Sequence, residues 1–113
     1  MFSFTFSLSQ FKETQKTFGP GKTRLLYDEF KKHTEAALKQ ASQSKDKEEQ
    51  RLVFHNLRSA ALVFGLNKLS GFSAKMERRI LANQEVLAKD FAECMMIYNK
   101  SVAKVEVYLK GLK

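Results

Sequence analysis

Apolar residues recur at intervals of three or four positions along most of this chain, which is the spacing of one face of an α-helix. Short polar or glycine-containing breaks divide the pattern into four stripes, the first of which includes a histidine. The stripes are Leu26-Phe30-His33-Ala37-Ala41, Val53-Leu57-Ala60-Ala61-Phe64, Leu66-Leu69-Phe72-Met76-Ile80 and Leu87-Phe91-Cys94-Tyr98-Val102-Val105-Leu109. Each stripe predicts an amphipathic helix that buries one side against its neighbours.

Residues that favour helix ends mark the boundaries of these elements. Ser7 begins a capping box before a short first helix, and Phe6 and Phe11 are spaced as a hydrophobic staple. Pro20, between two glycines, suits the first turn of the second helix, and Gly65 suits a left-handed helix end. The predicted helices run from Ser7 to about Thr17, from Pro20 to about Ser42, from 46–49 to Gly65, from Leu66 to near Asn83 and from Leu87 to Leu109.

The short links between the helices predict an all-α fold, an antiparallel four-helix bundle preceded by a short N-terminal helix. The chain shows no internal repeat, so residues 1–113 are expected to form a single domain. The start of the chain differs from the rest, because Phe2, Phe4 and Phe6 alternate with polar residues. This period of two predicts an extended segment over residues 1–6, which would lie on the bundle or pair with another copy.

Composition and charge narrow the functional classes. The chain has 113 residues, and its single cysteine, Cys94, cannot form an internal disulfide, so a reducing cytoplasm is expected. No apolar run reaches the roughly 20 residues that span a bilayer, and the start lacks a signal-peptide pattern. The two histidines are isolated in sequence, which argues against a metal site. The net charge of +8 indicates a positive surface suited to nucleic acid, an anionic membrane or an acidic protein cleft.

The third predicted helix carries a histidine that points away from its apolar stripe, so His55 should be at least partly exposed. Arg58 and Ser59 follow it by one helical turn, and Arg51 and Leu52 precede it by one turn. A neutral imidazole can use one ring nitrogen as a nucleophile. Arg58 offers a planar fork of donors for phosphoryl oxygens, and the small Ser59 would let another protein approach closely. These residue types predict a phosphoryl acceptor on the helix surface.

The run His55-Asn56-Leu57-Arg58-Ser59-Ala60, with Gly65 ten positions after the histidine, resembles the histidine-containing phosphotransfer (HPt) domain. The usual pattern of that family is His-x-Leu-Lys-Gly-Ser, followed by a glycine ten positions after the histidine. Arg58 stands where the family most often has lysine, which keeps the charge and changes its geometry. Ser59 stands where glycine is commonest. Single-domain phosphorelay proteins of the vibrio quorum-sensing type look similar to this chain in carrying serine at that position.

The resemblance implies a phosphocarrier of a multistep two-component relay. His55 would accept a phosphoryl group from a receiver-domain aspartate and pass it to another receiver, the two belonging to a hybrid sensor kinase and to a response regulator. The carrier would be a monomer with no enzymatic activity and no cofactor of its own, because the receiver supplies Mg²⁺ and most catalytic groups. Arg51, Leu52, Asn56 and Leu62 would dock the receiver, Arg58 would stabilise the phosphoryl group, and Gly65 would be structural.

Simpler explanations exist for individual residues. His55 could be an ordinary, partly buried helix histidine. Arg58 could be a surface residue bonded to a nearby carboxylate such as Glu77. His33 lies on the apolar stripe of the second helix, where it is expected to be a core or boundary histidine.

Three other functional classes compete with the carrier. A sensor-kinase fragment would read His-Glu-Leu-Arg-Thr-Pro, but Asn56 and Ala60 replace two of those residues and no glycine-rich ATP-binding boxes follow. A nucleic-acid-binding bundle is suggested by the pI of about 9.7, although the basic residues are spread over all the helices without a recognisable binding motif. A non-transferring protein that docks receivers and blocks them needs the same surface as a carrier, so sequence does not separate the two.

Overall fold

The computed structural model describes residues 5–111, and this part of the chain is built from helices without strands. The helices are α1 (Leu8–Phe18), α2 (Pro20–Ser42), α3 (Lys47–Val63), α4 (Asn67–Leu81) and α5 (Ala88–Lys110). The predicted fold class is therefore confirmed, and each helix boundary lies within a few residues of its predicted place. Residues 1–4, which carry most of the predicted extended segment, lie outside the described residues.

The four long helices pack in a closed square. In this arrangement α3 lies between α2 and α4, α5 lies between α4 and α2, and α1 packs across α2 and α3. Links of three to six residues join successive long helices, which makes neighbours antiparallel. The most extensive contact is between α3 and α4. The helix that carries His55 is thus held on both sides, most firmly by α4.

Specific side chains start the helices. The Ser7 hydroxyl accepts a hydrogen bond from the Gln10 N–H of α1, and the ring of Phe6 packs edge-on against Phe11 at a centroid distance of 5.9 Å. The Asp46 carboxylate caps α3 by accepting from the Glu48 N–H at 2.9 Å. The two hydrogen bonds satisfy N–H groups that have no partner within the helix. The predicted capping residue and staple of α1 are confirmed, but the predicted capping box is only half formed, because the Ser7 N–H donates to the Gly65 carbonyl and not to the Gln10 side chain.

Gly65 makes the turn from α3 to α4 and joins it to the start of α1. Its φ is +74°, a left-handed value that strains any residue with a Cβ atom. Its carbonyl accepts a hydrogen bond from the Ser7 N–H at 2.7 Å, and a Cβ placed on Gly65 would lie 2.3 Å from the Ser7 carbonyl oxygen. Only glycine therefore allows the two segments to meet, as the predicted structural role requires.

The same substitution should have opposite effects at two glycines. We expect Gly65→Ala to lower the free energy of unfolding by about 2 kcal/mol, because of the left-handed backbone and the contact with Ser7. Gly71→Ala should raise it by up to about 1 kcal/mol. Gly71 is exposed within α4, and an added Cβ there would meet nothing within 4 Å. Urea titrations of both variants test the pair, and a Gly65→Ala protein as stable as the parent would contradict this account of the turn.

The predicted apolar stripes of α4 and α5 are buried, apart from Leu87, Val102 and Leu109. In α2, by contrast, the buried face is rotated relative to the predicted stripe. Leu26 and His33 are exposed and Ala37 is half-buried. The buried positions of α2 are Thr23, Tyr27, Phe30, Thr34, Leu38 and Ala41. The prediction of a core or boundary histidine at His33 is therefore wrong. The physical reason is that α2 packs against α1, α3 and α5, so its buried side is centred between these neighbours.

The buried face of α3 is also rotated from its predicted apolar stripe, toward α4. Val53 and Ala60 are only half-buried, whereas Phe54 and Ala61 are fully buried together with Leu57. The rotation follows from the packing, because α4 covers α3 much more extensively than α2 does. Between α2 and α3 the side chains leave an open groove. No helix within residues 5–111 is both long enough and apolar enough to cross a membrane.

The start of α5 depends on one buried carboxylate. Asp90 accepts a hydrogen bond from the Leu87 N–H at 2.8 Å and pairs with Arg79 at 3.2 Å. Burial alone would raise the pKa of Asp90, but the Leu87 hydrogen bond and Arg79 together hold it below its usual value. A carboxyl group whose pKa is lowered by folding stabilises the folded state at pH values above its unfolded-state pKa, which is about 3.9 for an aspartate. This contribution disappears as the pH falls through the folded-state pKa.

Asp90→Asn should therefore destabilise the protein by about 1 kcal/mol near neutral pH, since it removes a charge-assisted helix cap. The difference between the variant and the parent should be smaller at about pH 3 than near neutral pH, because the contribution declines once the pH falls below the unfolded-state pKa and through the lowered folded-state pKa of Asp90. Denaturant titrations at the two pH values measure this change. An equal difference at both values would mean that the carboxylate charge contributes nothing to the stability of α5.

Candidate functional site

His55 lies in the middle of α3 on the side opposite the core. Its side chain is 47% exposed, although its neighbour Phe54 is fully buried. The predicted exposure of His55 is therefore confirmed. Because successive residues of a helix are about 100° apart, a helix whose buried face includes Phe54 and Leu57 must turn His55 outward.

A carboxylate from the neighbouring helix holds the His55 ring. The Nδ1 atom of His55 lies 2.9 Å from Oε2 of Glu77, whose side chain is only 9% exposed. Glu77 occurs on the buried side of α4, where the extensive packing of α4 on α3 brings it to the edge of the α3 surface. From the sequence, Glu77 is expected only as a possible partner of Arg58. The sequence carries no direct signal for the His55–Glu77 pair, because that pair depends on the register between two helices.

Arg51 is bound to two carboxylates. Its guanidinium contacts the same Glu77 Oε2 at 3.2 Å, and it also hydrogen-bonds to Glu48, one turn earlier on α3. The hydrogen bond with Glu48 raises the pKa of Arg51, whose guanidinium is charged at any ordinary pH. In this position Arg51 holds Glu77 in place beside His55. Its charge is balanced locally, so Arg51, which was expected to dock a partner, is paired within the molecule.

Arg58 is exposed, and within residues 5–111 its guanidinium makes no hydrogen bond or ion pair. The alternative in which Arg58 binds Glu77 is therefore wrong, because Arg51 and His55 take that carboxylate instead. The Arg58 backbone is held by Ser70 of α4, whose hydroxyl donates to the Arg58 carbonyl at 2.8 Å. A fixed backbone with a free guanidinium can direct five donors toward an anion placed beside His55.

The remaining predicted residues form the rim of the site. Ser59 and Asn56 are exposed on α3, and Leu52 and Leu62 are 44% and 48% exposed. On the helix surface Leu52, Ser59 and Leu62 lie one or two turns from His55 on the same side. Gly65 is ten residues away, a rise of about 15 Å along an α-helix, so it takes no part in the chemistry.

The Glu77 contact determines which ring nitrogen of His55 can react. An ionised carboxylate only accepts hydrogen bonds, so the 2.9 Å contact places the ring proton on Nδ1. The lone pair of the neutral imidazole then belongs to Nε2, for which no hydrogen bond occurs within the described part of the chain. Such a ring combines an accessible nucleophilic nitrogen with a fixed orientation. Any positive charge that develops on it would be stabilised by Glu77.

Within residues 5–111 no three His, Cys, Asp or Glu side chains converge as metal ligands would. Cys94 is fully buried, and burial raises the pKa of its thiol to about 12, which makes it a poor nucleophile.

No protein-family model, no curated protein and no solved structure matches this chain. The chemistry of the surface around His55 is therefore the basis for a functional assignment.

Proposed function

We propose that this protein is a phosphocarrier of a multistep phosphorelay, a cytoplasmic monomer with His55 as the phosphoryl acceptor. One observation carries the proposal: an exposed imidazole on α3 is held at Nδ1 by the buried carboxylate of Glu77. A histidine that served packing alone would have no need of exposure, of a fixed tautomer and of a free guanidinium one turn away. The His55-Asn56-Leu57-Arg58-Ser59-Ala60 run, which resembles the HPt domain, supports the same assignment.

The proposed transfer exchanges one covalent bond for another. The Nε2 lone pair of His55 attacks the phosphorus atom of an aspartyl phosphate on a receiver domain. An N–P bond forms while the P–O bond to the aspartate breaks, and the aspartate leaves as a carboxylate with the electron pair. The ring becomes a phosphoimidazolium whose Nδ1 proton remains hydrogen-bonded to Glu77, which stabilises the new positive charge. Attack by a second receiver's aspartate reverses these steps, with Mg²⁺ supplied by the receiver.

The surrounding residues have distinct proposed roles. Arg58 donates hydrogen bonds to the phosphoryl oxygens during transfer, since none of residues 5–111 engages its guanidinium. Ser59 leaves room for the receiver, and the exposed Leu52 and Leu62 supply apolar docking contacts beside the histidine. Arg51 acts as a positioning residue for Glu77, which refines its predicted role as a docking residue.

A relay between two receiver domains tests the proposal. A receiver charged with radiolabelled acetyl phosphate is mixed with this protein and a second, uncharged receiver, and the label on each chain is followed over time. The carrier assignment predicts label on this protein first and on the second receiver afterwards, with no labelling from ATP alone. A protein that binds the charged receiver but never acquires label would be the docking-only inhibitor instead.

A further inference from the structure

An open groove lies between α2 and α3, on the side of α3 away from Glu77. Its volume is about 610 Å³. The floor is apolar and includes the side chains of Phe30, Leu38, Val53, Leu57, Ala60 and Phe64. Exposed Leu52 and Val63 extend the apolar surface along the α3 edge. A cleft of this size with an apolar floor and a polar rim has the usual properties of a binding site.

The charge of the groove is opposite to that of the whole protein. The chain carries a net charge of +8, yet among residues 5–111 no lysine or arginine lines the groove. Two carboxylates do line it: Glu29 of α2 and Glu49 of α3. Glu29 forms no ion pair among the described residues, and Glu49 accepts only a neutral hydrogen bond, from the Ser44 hydroxyl at 2.8 Å. The rim therefore offers uncompensated negative charge beside an apolar floor.

The groove is elongated. Its α2 edge runs from Glu29 to Gln40 and its α3 edge from Glu49 to Phe64. At a rise of 1.5 Å per residue these edges are roughly 16 Å and 22 Å long, which corresponds to three or four turns of a helix. Amphipathic helices bind such grooves through apolar anchors one turn apart. The length thus fits a helical segment better than a compact small molecule.

We propose that this groove binds a basic amphipathic helix of a partner protein. The apolar side of the helix would insert between α2 and α3, and its lysine or arginine side chains would contact Glu29 and Glu49. The inference does not depend on the phosphocarrier assignment, because none of the groove chemistry uses His55. The two surfaces are nevertheless adjacent, since Leu52 and Asn56 border both of them.

Fluorescence anisotropy with a labelled helical peptide of about 14 residues, built from leucine and lysine, tests the proposal. A chain of net charge +8 repels such a peptide in general, so binding requires a locally negative apolar site. Ala37→Leu adds bulk to the groove wall, and Ala36→Leu adds the same bulk at an exposed position that does not line it. Glu29→Lys reverses a rim charge, and Glu13→Lys reverses an exposed charge on α1.

We expect the peptide to bind the parent protein and to lose about tenfold in affinity with either Ala37→Leu or Glu29→Lys, while both controls bind as the parent does. Absence of binding, or groove variants that bind as tightly as their controls, would overturn the proposal. A leucine–glutamate peptide that displaces the basic peptide would overturn the charge assignment. Self-association that Ala37→Leu abolishes would identify a second copy as the occupant instead. His55→Gln should leave peptide binding unchanged. A failure of the phosphocarrier proposal can therefore be distinguished from a failure of the groove proposal.

Discussion

His55→Gln should abolish the acid-labile phosphate that a charged receiver transfers to this protein. Glutamine is close in size and polarity to histidine but has no nitrogen lone pair that can form an N–P bond. Because His55 is exposed on the surface of α3, its loss should change the free energy of unfolding by less than about 1 kcal/mol. Labelling by a receiver charged with radioactive acetyl phosphate, followed by acid and base treatment, measures the effect.

The chain supplies its own control, since it has only two histidines. His33 is exposed on α2 and makes no hydrogen bond with a carboxylate among residues 5–111. His33→Gln should therefore retain the full labelling of the parent. Label that survives in His55→Gln and disappears in His33→Gln would contradict the assignment directly.

Glu77→Gln should slow phosphoryl transfer to His55 by about tenfold to a hundredfold, the loss that follows replacement of a carboxylate that orients a metal-binding histidine. The glutamine keeps the shape of the side chain, but it removes the negative charge that stabilises the phosphoimidazolium. Its NH₂ group can also donate to Nδ1 and thereby favour the opposite tautomer of the ring. Rapid-quench measurement of labelled protein gives the rate, and ¹⁵N NMR of the imidazole gives the tautomer.

Glu48→Gln is the matched control for this change. Glu48 binds Arg51 as Glu77 does, but it makes no contact with the His55 ring. We expect its transfer rate to remain within about twofold of the parent rate. Glu77→Gln and Glu48→Gln proteins with equal transfer rates and equal tautomer populations would show that Glu77 has no role beyond packing.

Local sequence signals predicted the helices well because each boundary depends on nearby residues. Ser7 caps α1 through an N–H three residues away, and Pro20 is the first residue of α2. Gly65 provides the left-handed backbone that ends α3. The exposure of His55 was also predictable, because it follows from the position of the residue within one helix. These features need no knowledge of how the helices pack.

The features that could not be predicted from the sequence depend on the register between helices. Glu77 is 22 residues from His55, and only the packing of α4 on α3 brings the two side chains together. The same packing turns Phe54 into the core and leaves Val53 half-buried beside the groove. Arg51 was expected to face a partner, but Glu48 and Glu77 bind it within the molecule. Helical periodicity gives the direction in which a side chain leaves its own helix. It does not specify which residue of a neighbouring helix lies in that direction.

The most direct test of the account is the position of the phosphate after transfer from a charged receiver. ³¹P–¹⁵N NMR of the labelled protein distinguishes phosphate on Nε2 from phosphate on Nδ1, and peptide mapping distinguishes His55 from His33. The account predicts a single phosphate on Nε2 of His55, with the Nδ1 proton still bound to Glu77. Phosphate on Nδ1, phosphate on His33, or a protein that remains unlabelled after stable binding to the charged receiver would contradict it.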